Sequence, residues 1–322
     1  MKQRILISRT DSIGDVMLTL PMCFYIKASF PEATVLFLGK SYTKDIIENC
    51  PYVDQFINAD DFQAASKEDI VAFMVGLNLD VVVFALPDKR WMELFYAAKV
   101  PKRIASGHRL QSWKWATDRP MFGRKNSNLH EAQLNLKLLR PLGVQVQPTL
   151  QELSNISLFK KSTTVPQNRL IIHPFSQGSA LNWSLQEYDE LVGLLMDEGF
   201  EIVISGTAKD AEQLAHWKGE NLKKVTSICG QFSLASFIEY ISQSKALLAC
   251  STGPLHLAAA QGIHAVGLYV DRRPIHPGRW QPIGPHVHVV KESDVDQKKI
   301  LTTPTLVATF LKSIMERPAT KH

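Results

Sequence analysis

Short apolar runs alternate with helical stretches along almost the whole chain, and that alternation is interrupted once. Runs at residues 4–8, 33–38, 54–57 and 80–86 come first; those at 170–173, 200–205, 246–250 and 265–269 follow a break. An unbroken apolar run of this kind suits a parallel strand covered on both faces, rather than the in–out pattern of a half-exposed sheet. Strands joined by helices in this rhythm predict a doubly wound α/β unit. The break, residues 144–168, carries Pro148, Pro166 and several Ser and Thr, and reads as an edge segment and linker. The chain is therefore expected to be α/β, with two doubly wound parallel-sheet domains facing a cleft. The first covers residues 1–160 and the second 161–302, and the final helix, 303–322, is expected to lie back across the first domain. A chain of 322 residues, 45% hydrophobic, is long enough to bury a core in each.

Local signals refine this outline. Ser66 with Asp69 forms a capping box opening a helix to about residue 77. Pro21 should kink a helix over 16–29 or sit near its start. Further helices are expected over 91–98, 130–142 (closed by Gly143), 185–198 and 209–217, and from Thr303 as N-cap. The stretch up to Lys125 reads as a basic loop.

Composition excludes several classes. Cys23, Cys50, Cys229 and Cys250 have no C-x-x-C spacing, and Cys23 and Cys250 lie in apolar runs as buried thiols would, which fits a reducing compartment and gives no metal site. The N-terminus lacks an extended apolar run, so neither a signal peptide nor a membrane span is expected, and the reading is cytoplasmic. Net charge is only +5, but residues 89–125 hold ten basic residues against Glu93 and Asp118, with Trp91, Trp113 and Trp115 interleaved. Such a stretch could meet nucleic acid, an anionic membrane or a phosphorylated substrate. A solvated surface with the Trp rings packed inward is the plain alternative. Nothing in the chain resembles a nucleic-acid reader motif, so no nucleic-acid partner is expected.

The residues with chemistry cluster at strand ends. Residues 246–262 read as strand, tight turn, helix: Gly253 allows close backbone approach, Pro254 fits the first helical position, and Gly262 is a natural C-cap. Free N–H groups and the dipole at such a helix start form an anion site, with Ser251, Thr252 and His256 at its mouth. The same residues also make an ordinary capped junction. Asp15 follows Gly14 at the first strand-to-helix turn, where a carboxylate either caps the helix or acts as a general base. His173, Ser176 and Gln177 occupy the first turn of the second half, and Asp210 follows a later strand, where acids accept hydrogen bonds from ribose. No G-x-G-x-x-G follows either leading strand, which disfavours a nicotinamide dehydrogenase. Gly39-Lys40-Ser41 lacks the earlier glycine of a P-loop, and Asp294 with Asp296 reads as solvated surface.

Two motifs make the combination recognisable. Asp11-Ser12-Ile13-Gly14-Asp15-Val16-Met17-Leu18-Thr19-Leu20-Pro21 resembles the N-terminal motif of the heptosyltransferase family of inverting glycosyltransferases, family nine. Ser251-Thr252-Gly253-Pro254-Leu255-His256-Leu257-Ala258-Ala259 resembles its nucleotide-sugar motif, and residues 130–136 and 178–183 also match family-like patterns. The resemblance implies a GT-B architecture of two Rossmann-like domains, an acceptor domain followed by a donor domain. It implies transfer of heptose, or a related sugar, from ADP-heptose to an anionic lipopolysaccharide inner-core acceptor, with inversion, no cofactor and no metal. A peripheral contact with the cytoplasmic face of the inner membrane goes with such an acceptor. By position, Asp15 resembles the base. Ser251, Thr252, Gly253, Pro254 and His256 resemble the diphosphate clamp, Ser176 and Gln177 further phosphate contacts, Asp210 the ribose acid, and Phe232 lies near the adenine. Arg103, Arg109 and Lys114 are the candidate acceptor contacts. Two positions depart from the pattern: Leu181 stands where many members have a phosphate-binding Lys, and Ser251 where many have Asp. Leu181 keeps open a rival class, a nucleotide-sugar-binding protein with little or no transfer activity.

Overall fold

A computed structural model describes residues 3–124, 126–160, 166–176, 183–270, 272–291 and 303–316. The chain divides into two units, Met1–Lys160 and Lys161–His322.

In the first unit, β1 (Arg4–Ser8), β2 (Thr34–Gly39), β3 (Gln55–Asn58), β4 (Val81–Phe84) and β5 (Lys102–Ala105) form one parallel sheet in the order β3-β2-β1-β4-β5. Helices α1 (Ile13–Met17), α2 (Pro21–Ser29), α3 (Lys44–Asn49), α4 (Lys67–Gly76), α5 (Lys89–Ala97), α6 (Leu110–Trp115), α7 (Glu131–Leu136) and α8 (Leu150–Ser154) connect and cover it. Ile5, Leu6 and Ile7 are fully buried, as are Val82, Val83 and Phe84, because each strand has a covered face on both sides. Pro21 does not kink one long helix; it starts a new one, where its missing N–H costs nothing. Ser66 caps α4 by accepting from the Asp69 N–H at 3.1 Å. The 130–142 stretch divides into α7 and a 3₁₀ turn (Lys137–Leu142) closed by Gly143 at φ +85°. Two elements go beyond the sequence expectation: α6 lies inside the supposed basic loop, and α8 inside the supposed linker behind a Thr149–Glu152 capping box.

In the second unit, β6 (Arg169–His173), β7 (Glu201–Ile204), β8 (Thr226–Ser227), β9 (Ala246–Cys250), β10 (His264–Leu268) and β11 (Val287–Val290) form a parallel sheet in the order β11-β10-β9-β6-β7-β8. Its helices are α9 (Leu185–Leu195), α10 (Ala208–Ala215), α11 (Leu234–Ser242), α12 (Gly253–Ala260), α13 (Pro277–Trp280) and α14 (Pro304–Met315). Every residue of β9 is buried, in register with Leu170–Ala246 on one side and His264–Ala246 on the other.

Within the second unit, Val307, Ala308, Leu311, Ile314 and Met315 of α14 share the core with Leu191, Val192 and Leu195 of α9. Spacings of three and four put these side chains on one stripe, and an apolar stripe settles on the nearest complementary core. Lys312 Nζ closes the packing on Glu198 Oε1 at 2.5 Å, and Lys245 donates to the Met315 carbonyl.

In both sheets the strand order reverses at one place, between β1 and β4 in the first and between β6 and β9 in the second. In an open α/β sheet, the crevice at the carboxyl ends of strands flanking such a reversal is where ligands bind.

Candidate active site

The first reversal point is built around an arginine. Arg9 leaves β1 as its backbone N–H bonds the Leu38 carbonyl at 3.0 Å, so its side chain starts from a fixed strand end. The residue is 5% exposed. Its Nη1 donates to the Ala85 carbonyl past β4 at 3.3 Å, its Nε to Asp11 Oδ1 at 2.6 Å, and its Nη2 to Asp15 Oδ1. Burial opposes the Arg9 charge, but Asp15 and Asp11 outweigh it and hold the guanidinium pKa above its ordinary value. For Asp11 the balance goes the other way: burial raises its pKa despite Arg9.

Asp15 occupies the first turn of α1, and Ser12 is the cap, accepting from the Asp15 N–H at 3.4 Å. The second carboxylate oxygen of Asp15 accepts from Ser12 Oγ at 2.6 Å. With 19% of the side chain exposed, the carboxylate is oriented by two donors and still meets solvent. Its backbone is held as firmly. Thr19 Oγ1 donates to the Asp15 carbonyl at 2.8 Å, and Asn135 Nδ2 on α7 donates to the Leu18 carbonyl at 3.1 Å. Arg124 in turn donates to Asn135 Oδ1 at 3.0 Å and pairs with buried Glu131 at 2.9 Å. A base that must meet a proton within hydrogen-bond reach gains from such fixing.

The second reversal point gathers the other candidates. Thr252 is the N-cap residue of α12 with extended backbone, but its side chain makes no capping bond. Its Oγ1 is buried without a hydrogen-bond partner. A buried hydroxyl left unpaired costs free energy, so its retention needs a reason. Gly253 and Pro254 form the first turn of α12, and His256 follows in the same helix, buried. Ser251 hydrogen-bonds the Tyr269 phenol, whose pKa burial pushes far upward. At the end of β6, His173 Nδ1 meets Ser205 Oγ at 3.0 Å, and burial, only partly countered by Asp210, lowers the imidazole to about 4. Ser176 is buried two residues beyond Pro174. The indole N–H of Trp183 is a second buried polar group with no partner, on a residue whose backbone bonds Cys250 at the end of β9.

Not every candidate is as expected. Asp210 is a cap-box residue first: Oδ2 accepts from the Thr207 N–H and Oγ1, both at 2.7 Å. The chain is tight there, since a Cβ on Gly206 would come within 2.9 Å of the Asp210 Cβ. Phe232 is exposed and stacks near Tyr240, ring centres 5.0 Å apart. Gln177, like Leu181, Asp294 and Asp296, lies outside the described residues. Arg103 is drawn inward: Nε donates to the Trp115 carbonyl at 2.7 Å and Nη1 to the Val100 carbonyl, with the guanidinium over the Tyr96 ring. Desolvation lowers its pKa. Arg109, the N-cap residue of α6, and Lys114 in its last turn are exposed, on the segment that follows β5 of the sheet whose β1 leads to Asp15. Arg9, Thr19, Asn135 and Trp183 were not anticipated. Thr19, Asn135 and Trp183 lie within the family-like stretches 11–21, 130–136 and 178–183, and Arg9 directly follows an apolar strand ahead of an acidic turn.

Comparison with known proteins decides the family. The model of glycosyltransferase family 9 (heptosyltransferase) matches residues 91–306. The chain belongs to that family. The match spans the end of the first unit and most of the second; it begins after Asp15. A putative glycosyltransferase of Haemophilus influenzae is 27% identical over 307 residues, covering 87% of this chain and 86% of its own. Lipopolysaccharide heptosyltransferase 3 of Escherichia coli is 23% identical over 277 residues, covering 80% of each chain. The structure of E. coli ADP-heptose lps heptosyltransferase II superposes with a TM-score of 0.76 at 19% identity, over 97% of this chain and 98% of that one. At that identity the likeness speaks for the fold: the paired parallel sheets of this family nine chain have the α/β architecture of the heptosyltransferase structures, the GT-B fold expected from the motifs.

Proposed function

We propose that this family nine chain transfers a heptose, or a related sugar, from an ADP-sugar to a lipopolysaccharide inner-core acceptor, with inversion and without a metal. The second unit is the donor unit and the first the acceptor unit. The observation that carries this reading is Thr252: a buried, unpartnered hydroxyl at the start of α12, at the reversal point between β6 and β9. A diphosphate there accepts from the hydroxyl and from the Gly253 N–H, in the positive end of the helix dipole; Pro254 has no N–H, and that of Leu255 already bonds the Thr252 carbonyl at 3.2 Å. Ser251, Gly253, Pro254, His256, Ser176 and Gln177 complete the clamp. Asp210, beyond its capping bond, receives the ribose, and Phe232 offers its exposed ring to the base.

An acceptor hydroxyl attacks the anomeric carbon, the bond from that carbon to the diphosphate oxygen breaks, and Asp15 takes the hydroxyl proton. The charge that develops on the departing diphosphate is met by donors already in place, so they act where the transition state needs them. Arg109 and Lys114 recognise the phosphorylated acceptor. Arg103, with its donors on backbone carbonyls, braces α6 instead. Among the described residues no helix is long and apolar enough to cross a membrane. The chain is expected to work at the cytoplasmic face of the inner membrane, in peripheral contact with it.

Thermal shift against a panel of ADP- and UDP-sugars tests the donor, since a ligand that binds only the native state stabilises it, by about 2.7 kcal/mol at a hundred times Kd. Selective stabilisation by ADP-heptose, followed by an inverted glycoside from a delipidated core acceptor in the presence of a chelator, is the expected result. Stabilisation with no product would favour the binding-protein reading motivated by Leu181; indifference to every ADP-sugar would refute the donor assignment.

A further inference from the structure

α6 turns an apolar side to solvent. Leu110 is 89% exposed and Trp113 61%, and Met121, on the loop that follows, is 62% exposed. The opposite side of the helix is inside: Ser112 and Trp115 are buried, and Trp115 packs in the core of the first unit with Phe84 and Phe95. The exposed residues are therefore not a failed core. Their support is rigid. Gln111 Nε2 donates to the Pro87 carbonyl at 2.8 Å, Arg103 Nε to the Trp115 carbonyl at 2.7 Å, and the Gly107 N–H to the Pro120 carbonyl at 3.2 Å. The Trp113 ring is held outward by its own Nε1–H on the Gly107 carbonyl at 2.9 Å, with the Arg119 guanidinium 4.9 Å from the ring centre.

Basic residues predominate around this patch, and Glu93, which faces Lys114, is itself paired with Lys67 at 2.6 Å. Arg109 precedes the helix, Lys114 follows Trp113, and Arg119 lies over the indole. The neighbouring acid, Asp118, is engaged by Thr117 Oγ1 at 2.7 Å. We propose that the Leu110–Trp113–Met121 patch is a docking surface for an anionic lipid bilayer. An indole with one apolar body and one polar edge settles at headgroup depth, Leu and Met reach toward the acyl chains, and Arg and Lys extend to lipid phosphates. A second copy of this chain fits worse, because a two-fold contact would bring the same basic residues face to face. The patch follows the carboxyl end of β5, and Asp15 in α1 follows that of β1 in the same parallel sheet, so docking turns that edge toward the membrane. The proposal deepens, and rests on, the reading of a membrane-held acceptor.

The test uses the full chain with vesicles of phosphatidylcholine alone and of phosphatidylcholine mixed with phosphatidylglycerol, with no sugar donor or acceptor present. The native chain should sediment with the anionic vesicles only, and less so in high salt. Leu110→Ser with Trp113→Ser should lose partitioning by a factor of about ten or more, the worth of withdrawing a large apolar side chain from the bilayer. Arg109→Gln and Lys114→Gln should each cost about five-fold. Leu110→Ser alone, at a fully outward position, keeps the test valid if loss of Trp113 loosens the loop; it should weaken partitioning with no change in melting temperature. Unchanged partitioning of these variants would overturn the proposal, as would equal binding to neutral vesicles, or a native dimer that the same substitutions dissociate. ADP-sugar stabilisation is measured on the same variants. If it persists while native partitioning is absent, the docking surface fails and the transfer reading stands; if it is absent in every variant and in the native chain, the transfer reading fails.

Discussion

Replacing Asp15 by Asn separates catalysis from capping, and the structure sets the size of both effects. Asn keeps the shape. Its amide oxygen can face Arg9 and its amide nitrogen Ser12, but it takes no proton at neutral pH. If Asp15 is the base, turnover should fall by about 10²–10⁴-fold, the usual contribution of a positioned acid–base group. The structural cost is separate. Arg9 is nearly buried and loses one ionised partner, yet keeps Asp11 at 2.6 Å and the Ala85 carbonyl at 3.3 Å. A lost hydrogen bond to a charged group, partly compensated in this way, is worth about 1–2 kcal/mol. For a unit of this size that lowers the melting temperature by roughly 2–8 °C. The cap itself survives, because Ser12 and not Asp15 accepts the first-turn N–H. Initial rates with saturating donor and acceptor, a melting curve, and ADP calorimetry on the same preparation give all three quantities. The expected pattern is a loss of rate far larger than a mild loss of stability, with ADP affinity unchanged. A folded Asp15→Asn protein that turns over near the native rate would refute the base assignment and leave Asp15 as a partner of Arg9.

Thr252→Val removes the unpartnered hydroxyl at nearly constant shape; the ligand-free protein should gain about 1 kcal/mol of stability while ADP binding weakens about ten-fold or more, and both are read from melts with and without ADP. A loss of stability without ligand would show that the hydroxyl is already satisfied. His173 sits at about 4, below its unfolded value near 6.5, so between those pH values the unfolded chain binds a proton that the native one refuses. Stability should therefore fall as pH drops through that window, by up to about 3 kcal/mol from this group, and His173→Gln should flatten that part of the denaturation profile. Arg103→Gln should destabilise the first unit, whereas Arg109→Gln with Lys114→Gln should raise the acceptor KM on a delipidated core and leave the melt and the ADP affinity alone; the reverse pattern would exchange their roles.

How far the chain could be read follows from what kind of physics each feature rests on. The strands were legible because a parallel strand covered on both faces must be apolar where it is covered, as β4 and β9 are throughout and β1 is over Ile5, Leu6 and Ile7. Strand β8 has two residues, Thr226 and Ser227, and owes its place to pairing with Val203 and Ile204 rather than to any pattern of its own. α6 was hidden for a different reason. Its apolar residues are divided between an inward Trp115 and outward Leu110 and Trp113, so no single stripe marks it, and Arg103 stabilises its last carbonyl from an earlier strand. α14 showed its apolar stripe plainly, but a stripe does not name the core that receives it. At the site, the residues that a turn or helix start demands were visible: Gly253 and Pro254 at one reversal point, Ser12 and Asp15 at the other. The partners were not. Arg9 meets Asp15 across a turn, Asn135 reaches Leu18 from a helix more than a hundred residues on, and Thr252 is distinctive only through a bond that it does not make. Such relations exist only after the two reversal points have formed, which is why motif spacing indicates where chemistry is concentrated and side-chain pairing decides which residue is held ready for it.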